Sequence, residues 1–264
     1  MVERIAPEPN ALVPQHLYKY RSLRGDAKTF ARDLIVNQRL YFPTPSELND
    51  PFEFRPVLDL KVTPEQKRAY IKRAVQALHG DKSRNERRQR EKAMMESPST
   101  NESIAQSFRM TMDRIGVFSL SARPLDVLMW PHYADNHAGI CVRFDTMALV
   151  GAGYVPMFVT YCRERPISRP MIDEPIPTLE KAARTKGLPW AYEEEWRLLL
   201  NRGGGQVVTI AAPVISGVIL GARISAGDRS EVLQWVSACP RPMEVIQAKF
   251  HESDYALESD RIAP

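Results

Sequence analysis

Glu193-Glu194-Glu195-Trp196-Arg197-Leu198-Leu199-Leu200 is the stretch on which the reading of the fold turns. With a period of two, a strand starting by Glu193 sends Glu193, Glu195 and Arg197 to one face. Trp196, Leu198 and Leu200 go to the other face and into a core. Two carboxylates and a guanidinium at the head of an apolar strand are costly to place together unless they are paired. Upstream, Lys186 and Trp190 extend the pattern to Lys-x3-Trp-x2-Glu-x-Glu-x-Arg. The bland explanation is an ion-paired edge strand in which Arg197 neutralises a carboxylate.

Working outward, further strands read at His16–Arg21, 40–42, 117–121, 140–145, 155–161, 207–210, 218–220 and 244–248, from alternation and from β-branched and aromatic content. Between the early and late strands the period turns helical. Ile71, Ala74, Val75 and Leu78 follow i, i+3, i+4, i+7, and Ile104, Phe108 and Met112 step by four behind a Ser99/Glu102 capping box. Asp26 is positioned to cap a helix ending near Asn37, and a last helix reads at about 228–236. Gly203-Gly204-Gly205 reads as a hairpin loop joining the Glu-rich strand to the next. These elements predict an α+β protein: a compact mixed or antiparallel sheet core with a helical, basic insertion. The expected organisation is a Pro-rich leader over 1–15 and a single domain over 16–264, with the insertion at about 61–114.

The net charge of +4 is concentrated in that insertion, where 13 Lys+Arg face 7 Asp+Glu; the remaining residues sum to −2. Such a block reads first as a solvated helix face and second as a nucleic-acid contact. No apolar run reaches the roughly 18 residues a membrane-spanning helix needs. The first residues carry acids and prolines rather than the apolar centre of a signal peptide. The three cysteines, Cys141, Cys162 and Cys239, make neither a metal pattern nor a disulfide framework. A cytoplasmic protein without a membrane partner is expected.

Three constellations carry polar chemistry. One is the Glu193–Arg197 strand. A second pairs Ser119 and Ser121 on one face of a strand with Leu128-Met129-Trp130-Pro131-His132-Tyr133-Ala134-Asp135-Asn136-His137-Ala138-Gly139, where aromatics and two histidines sit close together, as pocket walls do. Trp130 and Tyr133 as core, and His137 as a turn cap, explain the same residues without a ligand. The third is Tyr18-Lys19-Tyr20-Arg21 with Asn49-Asp50-Pro51-Phe52, which a solvated strand and an Asx-turn also explain. No G-x-S-x-G elbow, P-loop, dinucleotide G-x-G-x-x-G or zinc motif is present, and no metal is expected.

Taken in order, LYKYR, LYFPTPSELNDPFE, FSLS, LMWPHYADNHAGICVRFD, the Glu-x-Glu-Trp-Arg block and VILGARI resemble the bacterial family catalogued as domain of unknown function 2971, from about Leu17 to Ile224. That family name carries no activity. In the order of its parts the chain is also similar to mono-ADP-ribosyltransferase folds: an early strand with Arg, His or Tyr, a middle strand with a Ser/Thr pair, and a late strand opening with Glu-x-Glu. The second resemblance implies an NAD-using transferase or glycohydrolase that cleaves the nicotinamide–ribose bond. Glu195 would then face the developing oxocarbenium charge, and Glu193 would orient an acceptor. Tyr20 and Arg21 would lie on the early strand, Arg21 holding a phosphate. Ser119, with Ser121, would position the ribose, and Trp130 or Tyr133 would stack on nicotinamide. His137 and Arg197 complete the set, Arg197 being discordant because a fixed cation neutralises Glu195. The expected partners are NAD and a protein or nucleic-acid acceptor. Two alternatives stand beside this: a non-enzymatic ligand-binding or protein-interaction module, and a nucleic-acid-binding protein acting through the basic insertion.

Overall fold

The computed structural model describes residues 13–211 and 213–262; the first 12 residues of the expected leader lie outside them. The strands are β1 (His16–Arg21), β2 (Arg39–Phe42), β3 (Val57–Leu58), β4 (Gly116–Ser121), β5 (Ile140–Asp145), β6 (Met157–Phe158), β7 (Thr160–Cys162), β8 (Ile167–Ser168), β9 (Thr185–Gly187), β10 (Glu195–Leu200), β11 (Gln206–Thr209), β12 (Ile215–Leu220), β13 (Glu244–Phe250) and β14 (Leu257–Ile262). The helices are α1 (Asp26–Asn37), α2 (Pro64–His79), α3 (Arg84–Glu96), α4 (Thr100–Met112), α5 (Met129–Tyr133), α6 (Thr146–Gly151), α7 (Pro175–Ala183) and α8 (Ala226–Ser237). Among the described residues no helix is long and apolar enough to cross a membrane.

The main sheet runs β14-β13-β12-β5-β1-β4-β10-β6. Its pairs are antiparallel except β12 with β13, which are parallel and joined through α8. Alternation gives each strand two faces. On one, Leu17, Phe118, Leu120, Phe144, Trp196 and Leu198 pack against Leu34 and Ile35 of α1 and Trp235 of α8. The other face is divided. Tyr20, Cys141 and Ile219 pack under Trp130 of α5, while Val117 packs with Phe54, Met112 and Ala183. Between these two apolar clusters lie the polar residues of β4 and β10.

Alternation correctly sorts β10, since Trp196 and Leu198 enter the large core while Glu195 and Arg197 face the other way. The strand begins at Glu195, however. Glu193 ends the 3-10 turn Leu188–Glu193, and Glu194 takes a left-handed conformation (φ 40°).

The glycine hairpin is not formed. Both edges of β10 are occupied, by β4 and β6, so the chain after Gly205 pairs with β2 instead. Gly204 and Gly205 donate to the carbonyls of Arg114 and Phe42. The stretch expected as one strand over 155–161 is broken into β6 and β7, in different sheets. The strand expected at 244–248 continues to Phe250, and β14 follows it unforeseen.

Helices α2 and α3 carry reciprocal capping boxes, Thr63 with Gln66 and Ser83 with Glu86. The Ser99/Glu102 box is absent, because Ser99 has turn-like torsions (φ −85°, ψ 0°) instead of the extended ones a cap needs, and its hydroxyl meets Ser97. Helix α3 buries no residue, so its charges are mostly solvated, and Arg87 turns back to donate to the Gly80 and Lys82 carbonyls.

Candidate functional site

The polar strip between the two apolar clusters opens into a cavity of about 120 Å³. β1 contributes Tyr18, Lys19 and Tyr20, and β4 contributes Ser119 and Ser121. Tyr133 comes from α5, Asn49 and Glu53 from the segment after β2, and Lys186, Glu193 and Glu195 from β9 to β10. That volume is below the roughly 300–1,000 Å³ of pockets for drug-sized ligands. It holds one ring rather than a whole dinucleotide.

Beneath the cavity five buried charges interlock. Arg197, 0% exposed, donates from Nε to Glu195 Oε1 (2.8 Å) and from Nη2 to Glu195 Oε2 (2.8 Å). It also donates to Glu53 and, from Nη1, to the Ala183 carbonyl (2.8 Å). Lys186 Nζ reaches Glu193 (2.5 Å), Glu195 (3.1 Å) and Glu53 (3.2 Å). Its cation lies 4.9 Å from the centre of the Trp190 ring. Buried charges in water-poor surroundings persist only with this degree of satisfaction.

Neutral groups finish the network. Tyr133 Oη donates to Glu193 Oε1 (2.6 Å) and accepts from Asn49 Nδ2 (3.0 Å). Ser121 Oγ donates to the Glu193 carbonyl (2.6 Å), and Glu195 N–H donates to Tyr161 Oη (2.7 Å).

Titration follows from these contacts. Burial would raise the Glu195 carboxyl, but Arg197 and Lys186 outweigh it and hold the group far below the usual range. For Glu53 burial wins, aided by the Glu195 charge, and its pKa is raised despite Arg197. Burial would lower Lys186, yet the three carboxylates raise it. The Tyr133 phenol is pushed up by burial and by Glu193, so it stays protonated.

The β1 side differs. β1 and β4 pair only at Tyr18–Ser121, and across the gap beyond it Lys19 Nζ donates to the Ser119 carbonyl (2.7 Å). Among the described residues no carboxylate forms an ion pair with Lys19, although Glu195 and Glu193 act on it from a distance and oppose the shift. Burial, with the charge of Arg21, brings its pKa down to about 7. Burial alone lowers Arg21, to about 10, and its Nε has no partner.

Of the residues singled out in the sequence, Tyr20, Ser119, Ser121, Tyr133, Glu193 and Glu195 border the cavity. Arg197 lies behind Glu195, and Arg21 sits two residues from Lys19, outside the lining. Trp130 is fully buried, edge-on to Tyr20 (5.2 Å), with its indole N–H on the Pro124 carbonyl. The packing that makes it core keeps it off the cavity wall, so it does not stack on a ligand there. His137 is also set apart. It stacks on Trp130 and meets the edge of Phe250 in a loop where Asp135, Asn136 and His137 all have positive φ. That loop ends at Gly139, where a Cβ would stand 2.3 Å from the Arg21 carbonyl oxygen.

Three contributors escaped the sequence reading. Asn49 reads only as part of a turn, Lys19 only as a solvated strand residue, and Glu53 only as the last residue of the LYFPTPSELNDPFE block. Among the described residues no group of three His, Cys, Asp or Glu is arranged to hold a metal ion.

Fold and site together define a mixed α/β protein whose divided sheet face carries a locked charge cluster beside a small cavity. Residues 129–198, from α5 to β10, match the family described as protein of unknown function DUF2971. This segment, which supplies Tyr133, Lys186, Glu193, Glu195 and Arg197, is where the chain is similar to that family. No curated protein and no solved structure matches the chain.

Proposed function

We propose that the cavity cleaves the nicotinamide–ribose bond of NAD, in the manner of a mono-ADP-ribosyltransferase. One observation carries this reading. The three strands that bear the motif residues, β1, β4 and β10, are neighbours, so Tyr20, Ser119, Glu193 and Glu195 border a single cavity. Breaking the C–N bond releases neutral nicotinamide and leaves oxocarbenium charge on the ribose. Three carboxylates set against Lys186 and Arg197 leave one negative charge in excess when all are ionised, next to where that charge develops. A fixed negative field of this kind stabilises the transition state more than the neutral-ribose ground state.

In this scheme Glu195 is the anchored anion, held ionised by Arg197. Glu193, bound by one shared cation and a phenol, is the carboxylate with more freedom to meet the ribose or an acceptor. Ser119 positions the ribose, and Tyr133 borders the ring. Arg21 supplies the cation for a phosphate.

Arg197 favours a second reading, a non-enzymatic binding module, because both oxygens of Glu195 are already engaged. The test is incubation of the protein with NAD, with mass spectrometry of the solution and of the protein. Free nicotinamide is expected, and Glu193→Gln should lower its rate roughly 10²–10⁴-fold. Ser119→Ala, which removes a neutral hydroxyl beside Glu195 and no charge, provides a second variant, expected to slow the release with an unchanged melting temperature. An intact NAD pool with wild-type protein removes the enzyme and leaves the binding module.

A further inference from the structure

On the far side of Glu53 and Lys186 from the small cavity lies a larger hollow of about 530 Å³, walled by residues 50–56, 162–166 and 185–190. Past Arg165 and Pro166 a second hollow of about 520 Å³ continues it to Lys181 and Arg184. Two short parallel ladders, β3 with β8 and β7 with β9, hold parts of the walls. Two aromatic platforms are available. Phe52 is 62% exposed, with the Arg165 guanidinium 5.4 Å from its ring centre; Trp190 is half-buried on the opposite wall. The side chains at the groove's surface are predominantly cationic. Arg163, Arg165, Lys181 and Arg184 outnumber Glu164 and Glu180 there, while Arg55 is paired with Asp113 and both Asp50 and Glu53 are buried.

We propose that this groove binds single-stranded nucleic acid, with a base stacked on Phe52 and the phosphodiester backbone running along Arg165, Lys181 and Arg184. A cationic channel that tracks a backbone, with exposed aromatic faces for unstacked bases, is the combination that single strands recognise. Two hollows in line exceed the needs of one nucleotide. A duplex keeps its bases stacked and offers nothing to Phe52. An acidic peptide satisfies the guanidinium groups but leaves the aromatic faces unused. This surface is distinct from the basic helix α3, and the inference does not depend on NAD cleavage.

The experiment is fluorescence anisotropy of a short labelled single-stranded oligonucleotide with the full chain, without NAD, across a salt series. Binding is expected at low salt and should weaken steeply as salt rises. Phe52→Ala, a change at an exposed position, should weaken binding about tenfold with an unchanged melting temperature. Arg165→Gln and Lys181→Gln should each make the salt slope shallower by about 0.7. Replacing Arg84, Arg87, Arg88 and Arg90 of α3 by Gln should leave binding as it was. The proposal is overturned by undetectable binding at low salt, or by affinity for AMP equal to that for the oligonucleotide. Preference for duplex overturns it too, as do loss of binding in the α3 variant alone and Phe52-dependent binding of an acidic peptide in place of the oligonucleotide. None of these results touches the NAD reading, which its own assay decides.

Discussion

Strands β1 and β10 flank β4 on either side, and each brings two charged residues into the interior. On β10, Glu195 and Arg197 face each other and are joined by Glu53, Lys186 and Glu193, so every charge has a partner of opposite sign. On β1, Lys19 has one carbonyl and the side of an aromatic ring, and Arg21 has a buried Nε without a partner. Lys19 and Arg21 are partly buried where Glu195 and Arg197 are fully so, and only the more buried wall recruits carboxylates. Pairing makes the β10 wall depend on the integrity of its members. The β1 wall, with the Lys19 pKa brought down to about 7, is expected to respond to pH instead.

The sharpest way to break the contrast is Arg197→Gln. It strips Glu195 and Glu53 of their guanidinium while leaving both carboxylates buried, and should cost about 3–5 kcal/mol of folding stability, read by urea titration near neutral pH. The sign of the pH effect follows from Glu195, whose carboxyl is depressed in the fold. Its contribution is fully present above the unfolded value of about 4.3 and is lost as pH falls below it. The wild type should therefore converge on Arg197→Gln in acid. A variant as stable as wild type at neutral pH would mean that the β10 network is no more demanding than the β1 wall.

A smaller effect of opposite character is expected from Lys19→Met. Folding lowers the Lys19 pKa from 10.5 to about 7, so between those values the unfolded chain binds the extra proton and wild-type stability rises with pH. Met removes that slope. The variant should be more stable than wild type at about pH 6, and the gap should close towards about pH 10. Thermal melts across that range provide the check, and a gap independent of pH would contradict a partly buried ammonium without an ion-pair partner.

The smallest change is the reference point. Arg84, Arg87, Arg88 and Arg90 lie on α3, which buries nothing. Their joint replacement by Gln should move stability by no more than about 0.5 kcal/mol per site. A larger loss would show that charges taken as solvated are in fact structural.

How much of this is legible in the sequence depends on the range of the interaction. The alternation Glu195, Trp196, Arg197, Leu198 is local, and it places each residue on its observed face. Glu193 joins the same site by another route, a 3-10 turn and a left-handed Glu194, which no period-two reading anticipates. Glu53 reaches Arg197 from 144 residues away, and no local pattern marks it. Lys19 reads as solvated because nothing in LYKYR reveals that β1 and β4 part after Tyr18. The triple glycine does not form a hairpin for a similar reason, since the partner of β11 is decided by which sheet edges remain open. Trp130 and Tyr133 show the limit within a single helix: three residues apart, one fills the core and the other borders the cavity.

The span of the Glu53–Arg197 contact also bears on the order in which the molecule assembles. Closing so long a loop costs chain entropy before any ion pair can offset it. The attraction gains strength only once the apolar clusters around Phe54 and Tyr20 have excluded water. The charge cluster is therefore expected to lock after the rate-limiting step of folding, so that Arg197→Gln should speed unfolding while leaving the refolding rate unchanged in stopped-flow measurements.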